Sequence, residues 1–204
     1  MTITADTATP ITRLGGRTAL QNAFIRVDLD DVVLPDGRTG EYSVITSGTG
    51  LGAMTIPLVT AGGTHFLGFI SQYRYPVQTT LLEFPAGGAD NFSAAEAGRE
   101  LFEETGLTMR DATFLGTMYP DPVLNGEVAV WLSRQPETAL ASTHYEEESG
   151  GVLRWYSHDE VREMIRCGII RSGTTMSALM MLEVSGILNL PGERSAPAPH
   201  TLQA

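Results

Sequence analysis

Apolar and polar residues alternate through AFIRVDLDDVVL (23–34), which predicts a strand. PDG (35–37) signals a turn, and EYSVITSG (41–48) continues as a second strand. AMTIPLVT (53–60), the turn AGG (61–63) and HFLGFISQYRY (65–75) predict another hairpin. TLLEF (80–84) adds a short strand that stops at Pro85. The period then changes. Ser93 followed by Glu96 predicts a capped helix start, Ala94, Ala97, Leu101 and Phe102 supply an inward face, and Gly106 supplies the stop. Strand patterns return at ATFLGTMY (112–119), EVAVWLS (127–133) and GVLRWYS (151–157). Ser157 with Glu160 opens a second helix running to about Arg166. TTMSALMMLEVS predicts a last helix over roughly 174–185, whose Met and Leu stripe reads as core packing rather than a cofactor surface.

Strands first, one embedded helix, strands again and two helices last make an α+β pattern with a mixed sheet. Residues 1–12 and 191–204 carry no packing period and read as tails. Between them the expected division is a small amino-terminal β-sheet subdomain over 13–47 and a catalytic domain over 48–190.

Composition narrows the chemistry. All 13 basic residues are Arg, against 24 acidic ones, for a net charge of −11. A chain without Lys has no P-loop lysine, no Schiff-base lysine and no Ser–Lys dyad. An acidic field also argues against nucleic-acid and membrane-surface partners. Anionic small molecules remain accessible where cations or local Arg residues mediate the contact. Cys167 is the single cysteine, which precludes an intramolecular disulfide and is expected to be a core thiol at a helix end. With no apolar run of membrane length and no signal-like amino terminus, the expected location is cytoplasmic. GTGLGA (48–53) has the wrong glycine spacing for a dinucleotide fingerprint, and His65, His144, His158 and His200 show no ligand spacing.

The embedded helix is chemically unusual. Glu96, Glu100, Glu103 and Glu104 crowd around one Arg99. Residues three and four apart share a helix face, so the carboxylates repel unless something cationic intervenes. Charge alone fits a solvated acidic face, the commoner case, or a cluster that holds a hard divalent cation.

Residue order shifts the weight toward the second. RELFEETGL (99–107) resembles the second half of the Nudix box, G-x5-E-x7-R-E-U-x-E-E-x-G-U with U aliphatic. LLEFPAGG (81–88), QYRYPV (72–77), LPDGRTGEY (34–42) and GIIRSGTTMSAL (168–179) resemble the ADP-ribose pyrophosphatase branch of that family. The resemblance spans about residues 14–187. It implies an α/β/α sandwich with a mixed sheet and a small amino-terminal sheet domain. One feature departs from the pattern. Arg99 follows Gly87 by twelve residues instead of fourteen, and the first Glu of the box has no counterpart; Asn91 and Ser93 fall nearest.

The resemblance implies a metal-dependent diphosphatase using Mg²⁺ or Mn²⁺. Glu100 and Glu104 would be metal ligands, with Glu103 a further ligand directly or through water. The Ala86 backbone carbonyl would complete the site, and Arg99 would orient a carboxylate. The general base is expected in HYEEESGGVLRWYS (144–157), at Glu147 first and Glu148 second. Arg74 would contact substrate phosphate, or else form a strand-end salt bridge. Pro122 stands where this branch commonly has a proline, and Glu127 reads as a strand-edge charge more than a ligand. The implied substrate is ADP-ribose or a related nucleoside diphosphate derivative, and the implied assembly a homodimer. The alternatives are another nucleotide sugar, such as GDP-mannose, or a silent Nudix fold that binds nucleotide as a sensor.

Overall fold

The computed structural model describes residues 10–143 and 151–188. These form ten strands and three α-helices. They divide into two units, one taking residues 10–50 with Asp121–Gly126 and the other Leu51–Pro120 with the described residues from Glu127 onward.

The first unit holds an antiparallel sheet of β1 (Thr12–Gln21), β2 (Ile25–Val33) and β3 (Thr39–Ser47). The β2–β3 turn follows from Pro35-Asp36-Gly37. Gly37 takes φ 84°, a region that favours glycine, and its N–H donates to the Leu34 carbonyl at 2.9 Å. Alternation predicts β2 and β3 but not β1, which carries Gly15 and Gly16 and buries no residue. Gly16 is required there, because a Cβ would lie 2.4 Å from Asp30 Oδ1 and 2.7 Å from the Leu29 carbonyl. Only Val32 is buried on these three strands.

The second unit is a seven-stranded mixed sheet built on β4 (Leu51–Ala61), β5 (Thr64–Arg74), β8 (Thr113–Met118), β9 (Glu127–Gln135) and β10 (Val152–Ser157), in the order β10-β5-β4-β9-β8. β4 and β9 run parallel over Leu51–Val59, while β5 lies antiparallel to both β4 and β10. Near their hairpin β4 and β5 pair, from Leu58 to Leu67, and then part. The next stretch of chain fills the fork: β6 (Thr79–Glu83) pairs with β5, and β7 (Ala86–Gly88) pairs with β4. Pro85 separates them because it has no N–H to donate to a ladder. β7 is three residues long and glycine-rich, so no alternation marks it in the sequence.

Side-chain alternation sorts the two sheet faces. Met54, Ile56 and Leu58 of β4, Leu67 and Phe69 of β5, and Val130 and Leu132 of β9 point one way. They pack on Val161 of α2 (His158–Arg166) and on Ala178, Leu179 and Leu182 of α3 (Gly173–Val184). Phe69 stacks on Phe84 with ring centroids 4.5 Å apart. Losing a buried phenylalanine of this kind typically costs about 3–5 kcal/mol. On the opposite face, Val59, Ile70 and Leu153 meet Leu101 of α1 (Ala94–Thr105), and Ala53 meets Ala97 and Ala89. Helices on both faces of a mixed sheet give the expected α/β/α sandwich. Among the described residues, no helix is long and apolar enough to cross a membrane.

Two local expectations are corrected. Phe102 is 59% exposed rather than inward, because α1 buries the i, i+4 stripe Ala97, Leu101 and Thr105, and Phe102 falls about 100° away from Leu101. Cys167 does end α2, but it is exposed and not in the core; its thiol donates to Glu163 Oε1 at 3.0 Å, which pushes the thiol pKa up. The Ser157–Glu160 capping box forms in full. In α3 the stripe is Thr175, Ala178, Leu179 and Leu182, while Met176 and Met180 face outward.

Candidate active site

The burial of one α1 face decides where its charges go. With Ala97, Leu101 and Thr105 against the sheet, Glu96, Glu100, Glu103 and Glu104 are carried along the rim of the helix. Ser93 caps the start, its Oγ accepting from the Glu96 N–H at 3.4 Å. The Glu96 carboxylate takes a 3.3 Å contact with Arg99. Gly106 closes the helix at φ 69°.

β7 forms the other wall. The Thr55 N–H donates to the Pro85 carbonyl at 2.9 Å and the Ala89 N–H to the Leu51 carbonyl at 3.0 Å. Residues 85, 87 and 89 therefore direct their backbone groups toward β4, and Ala86 directs its own to the other edge. There the Ala86 N–H donates to Glu104 Oε2 at 3.0 Å. A strand residue presents its N–H and C=O along one edge, so the Ala86 carbonyl lies on the side that Glu104 occupies. Gly87 makes room for the next carboxylate. A Cβ at Gly87 would stand 2.2 Å from Glu100 Oε2 and 2.5 Å from Oε1.

Arg99 joins these parts. Its guanidinium reaches Glu100 at 2.7 Å, Glu103 at 3.0 Å and Glu96 at 3.3 Å, and it donates to the Gly88 carbonyl at 2.7 Å. Burial alone would lower the Arg99 pKa; Glu100, Glu96 and Glu103 outweigh it and raise it. For Glu100 the balance goes against the ion pair. Its side chain is 12% exposed, and burial, with Glu103 and Glu96 adding to it, raises its pKa despite Arg99. A carboxylate with a raised folded pKa penalises the fold once pH passes its unfolded value, and the penalty is complete above the folded one. Glu100→Gln, stripped of divalent ions with EDTA at neutral pH, is therefore expected to melt at or above the wild-type temperature. A lower melting temperature in a calorimetric scan would refute that sign.

The sequence-predicted residues thus fall into groups. Glu100, Glu104 and Arg99 meet Ala86–Gly88, and Glu103 joins them through Arg99. Among the described residues, no three His, Cys, Asp or Glu side chains already converge on one point as a cage. Glu104 is turned to the Ala86 amide and Glu103 to Arg99. Arg74 Nε pairs with Glu83 Oε2 at 2.6 Å, the strand-end salt bridge weighed from the sequence. Glu127 opens β9, and Pro122 belongs with the first unit. Glu147 and Glu148 lie outside the described residues. In the shortened loop, Asn91 Oδ1 accepts from the Ser93 N–H at 2.9 Å, and Arg99 donates to the Gly88 carbonyl. Sequence reading overlooked Thr55, whose signal was a hydroxyl between the apolar residues Met54 and Ile56. It is fully buried, and its Oγ1 donates to the Ala97 carbonyl at 3.0 Å.

Comparison with known proteins agrees with this architecture. A family model described as the NUDIX domain matches residues 52–171, and one described as the nucleoside diphosphate sugar hydrolase N-terminal domain matches 11–45. An ADP-ribose pyrophosphatase of Bacillus subtilis (strain 168) is 24% identical over 163 residues, covering 78% of this chain and 85% of that protein. A CMP-5'-(N-acetyl-N-hydroxy-3-aminopropyl)phosphonate hydrolase of Streptomyces rubellomurinus (strain ATCC 31215) is 28% identical over 182 residues, covering 87% and 85%. A crystal structure of an ADP compounds hydrolase superposes with a TM-score of 0.68 at 19% identity, covering 88% of this chain and 95% of that one.

Proposed function

The chain belongs to the Nudix family of hydrolases and is a pyrophosphatase related to ADP-ribose pyrophosphatase; from that premise we propose that it cleaves the diphosphate of ADP-ribose with the help of Mg²⁺ or Mn²⁺. The observation that carries this reading is the placement of Glu100 and Glu104 against the Ala86–Gly88 strand, with Glu103 joined to them through Arg99. Its donors are carboxylate and carbonyl oxygens only, the set a hard divalent cation takes, and Gly87 makes room for the Glu100 carboxylate. Glu100 and Glu104 would hold the cation, with Glu103 and the Ala86 carbonyl. Bound there, it would neutralise diphosphate charge and make water more acidic.

The chain's own residues then have distinct tasks. Arg99 keeps the glutamates in place. Arg74, leaving Glu83, would meet substrate phosphate. Glu147, or Glu148 beside it, would take the proton of the attacking water. Water adds to one phosphorus, the bridging P–O bond breaks, and AMP and ribose 5-phosphate leave. The same reading places the enzyme in the cytoplasm as a homodimer. The exposed apolar residues Leu14, Leu20 and Phe24 of the amino-terminal unit support an assembly of that kind. A monomer by sedimentation would remove the dimer from the proposal.

One relative supports a second nucleotide, because the Streptomyces protein is named for a CMP derivative. Chromatography of products from ADP-ribose, GDP-mannose and a CMP-linked phosphonate, each with Mg²⁺, decides between them. ADP-ribose is expected to give the highest kcat/KM. Faster cleavage of another member would move the substrate, and binding without turnover of any would identify a silent nucleotide binder.

A further inference from the structure

We infer that Thr55 is a positioning residue that sets the distance between the two walls of the acidic site; this rests on the metal-dependent reading above. Through its backbone Thr55 holds the β7 wall, donating from its N–H to the Pro85 carbonyl at 2.9 Å, one residue before Ala86. Through its side chain it holds α1, donating from Oγ1 to the Ala97 carbonyl at 3.0 Å, one turn before Glu100. No other property of the strand calls for a hydroxyl at this place. Thr55 is fully buried in β4, on the face where Ala53 and Val59 meet α1. Inside a helix the Ala97 carbonyl already accepts from the N–H four residues on, so the Thr55 bond is additional to its needs. A buried hydroxyl is costly unless bonded, and here the bond ties two elements together.

What distinguishes this tie is that it uses none of the site's own charged side chains. α1 also meets β7 through Glu104 on the Ala86 amide, Glu100 over Gly87 and Arg99 on the Gly88 carbonyl. A bound cation would compete for those glutamates and change their contacts. The Thr55 bonds involve no group that a cation would take. Ala97 and Glu100 are three residues apart, about 4.5 Å along a rigid helix, so a shift at Ala97 passes directly to the carboxylates. Metal–ligand distances hold within about 0.2 Å, which makes affinity a sensitive report of that shift.

The test is Mn²⁺ binding to the intact protein without substrate, read by the electron paramagnetic resonance signal of free Mn²⁺. Thr55→Val is expected to weaken Mn²⁺ binding about tenfold, while Thr55→Ser stays within about twofold of wild type. With Mn²⁺ saturating, KM for ADP-ribose should change little in either variant. Ser133→Ala is the control. Ser133 is equally buried, on β9, and its hydroxyl ties that strand to Arg110, away from the β7 wall. It should lose stability without losing Mn²⁺ affinity. If Thr55→Val does not fold, Thr55→Ala carries the same expectation. The inference is overturned if the variant lacking the hydroxyl binds Mn²⁺ as wild type does. Equal weakening in Thr55→Ser or in Ser133→Ala would overturn it too. Wild-type protein that binds Mn²⁺ but cleaves no nucleotide would remove the proposed substrate and leave the binding comparison standing. Wild-type protein that binds no Mn²⁺ removes both.

Discussion

Glu104→Gln is expected to fold normally and to lose about a thousandfold in kcat. The amide oxygen of Gln can still accept from the Ala86 N–H, so the 3.0 Å tie between α1 and β7 survives the change. What disappears is the negative charge. A divalent cation contributes several kcal/mol of charge stabilisation, and about 1.4 kcal/mol is tenfold in rate, so loss of a ligand is worth roughly three orders of magnitude. The loss should be in kcat, with the circular dichroism spectrum and melting temperature in EDTA close to wild type. Activity within about tenfold of wild type would mean that Glu104 is a strut for the β7 wall and not a ligand.

Gly87→Ala separates the site from the fold in another way. The added methyl would lie 2.2–2.5 Å from the Glu100 carboxylate, which must move away. That carboxylate is the far end of a flexible side chain, so the fold can yield at small cost. The site cannot, because displaced carboxylate oxygens no longer meet a cation held by Glu104. We expect a loss of about 100-fold at limiting Mg²⁺, partly recovered by raising the Mg²⁺ concentration, with little change in melting temperature. An equal loss at every Mg²⁺ concentration, together with a large fall in melting temperature, would point to a damaged β4–β7 pairing. Unchanged activity would show that the close contact with Gly87 has no part in the chemistry.

How much of this was legible in the sequence varied with the physics behind each element. α1 was readable at both ends, since Ser93 and Gly106 are local signals that act within one turn. Its orientation was only partly readable. Phe102 was assigned inward on hydrophobicity, but the sheet selects the stripe of Ala97, Leu101 and Thr105, and the aromatic ring is left outside. Strands β4, β5 and β9 carry apolar runs or alternation because at least one face is covered, whereas β2 alternates with only Val32 buried. β1 carries no such period because neither face of it is buried. β7 escaped because three residues are too few for a period, and its place is set by the fork between β4 and β5.

The candidate site divides along the same line. The glutamates and Arg99 stand in one helical stretch and were visible as an arrangement of charge. Their partners were less visible. The Ala86 amide and the Gly88 carbonyl are backbone groups, and Thr55 lies in a strand distant in sequence that only folding brings to Ala97. Cys167 shows the reverse error, where a residue type usually buried lies exposed and bonded to Glu163. The roles of Glu147 and Glu148 rest on resemblance to the family, and both lie outside the described residues.

The central claim is that the acidic face of α1, set against Ala86–Gly88, serves a metal-dependent diphosphate hydrolysis. Phosphorus-31 NMR of ADP-ribose incubated with the protein tests it directly, with Mg²⁺ in one sample and excess EDTA in another. The account predicts that with Mg²⁺ the diphosphate resonances vanish and two monophosphate resonances grow, and that neither change occurs in EDTA. Equal conversion in both samples, or intact diphosphate resonances in both, would contradict it.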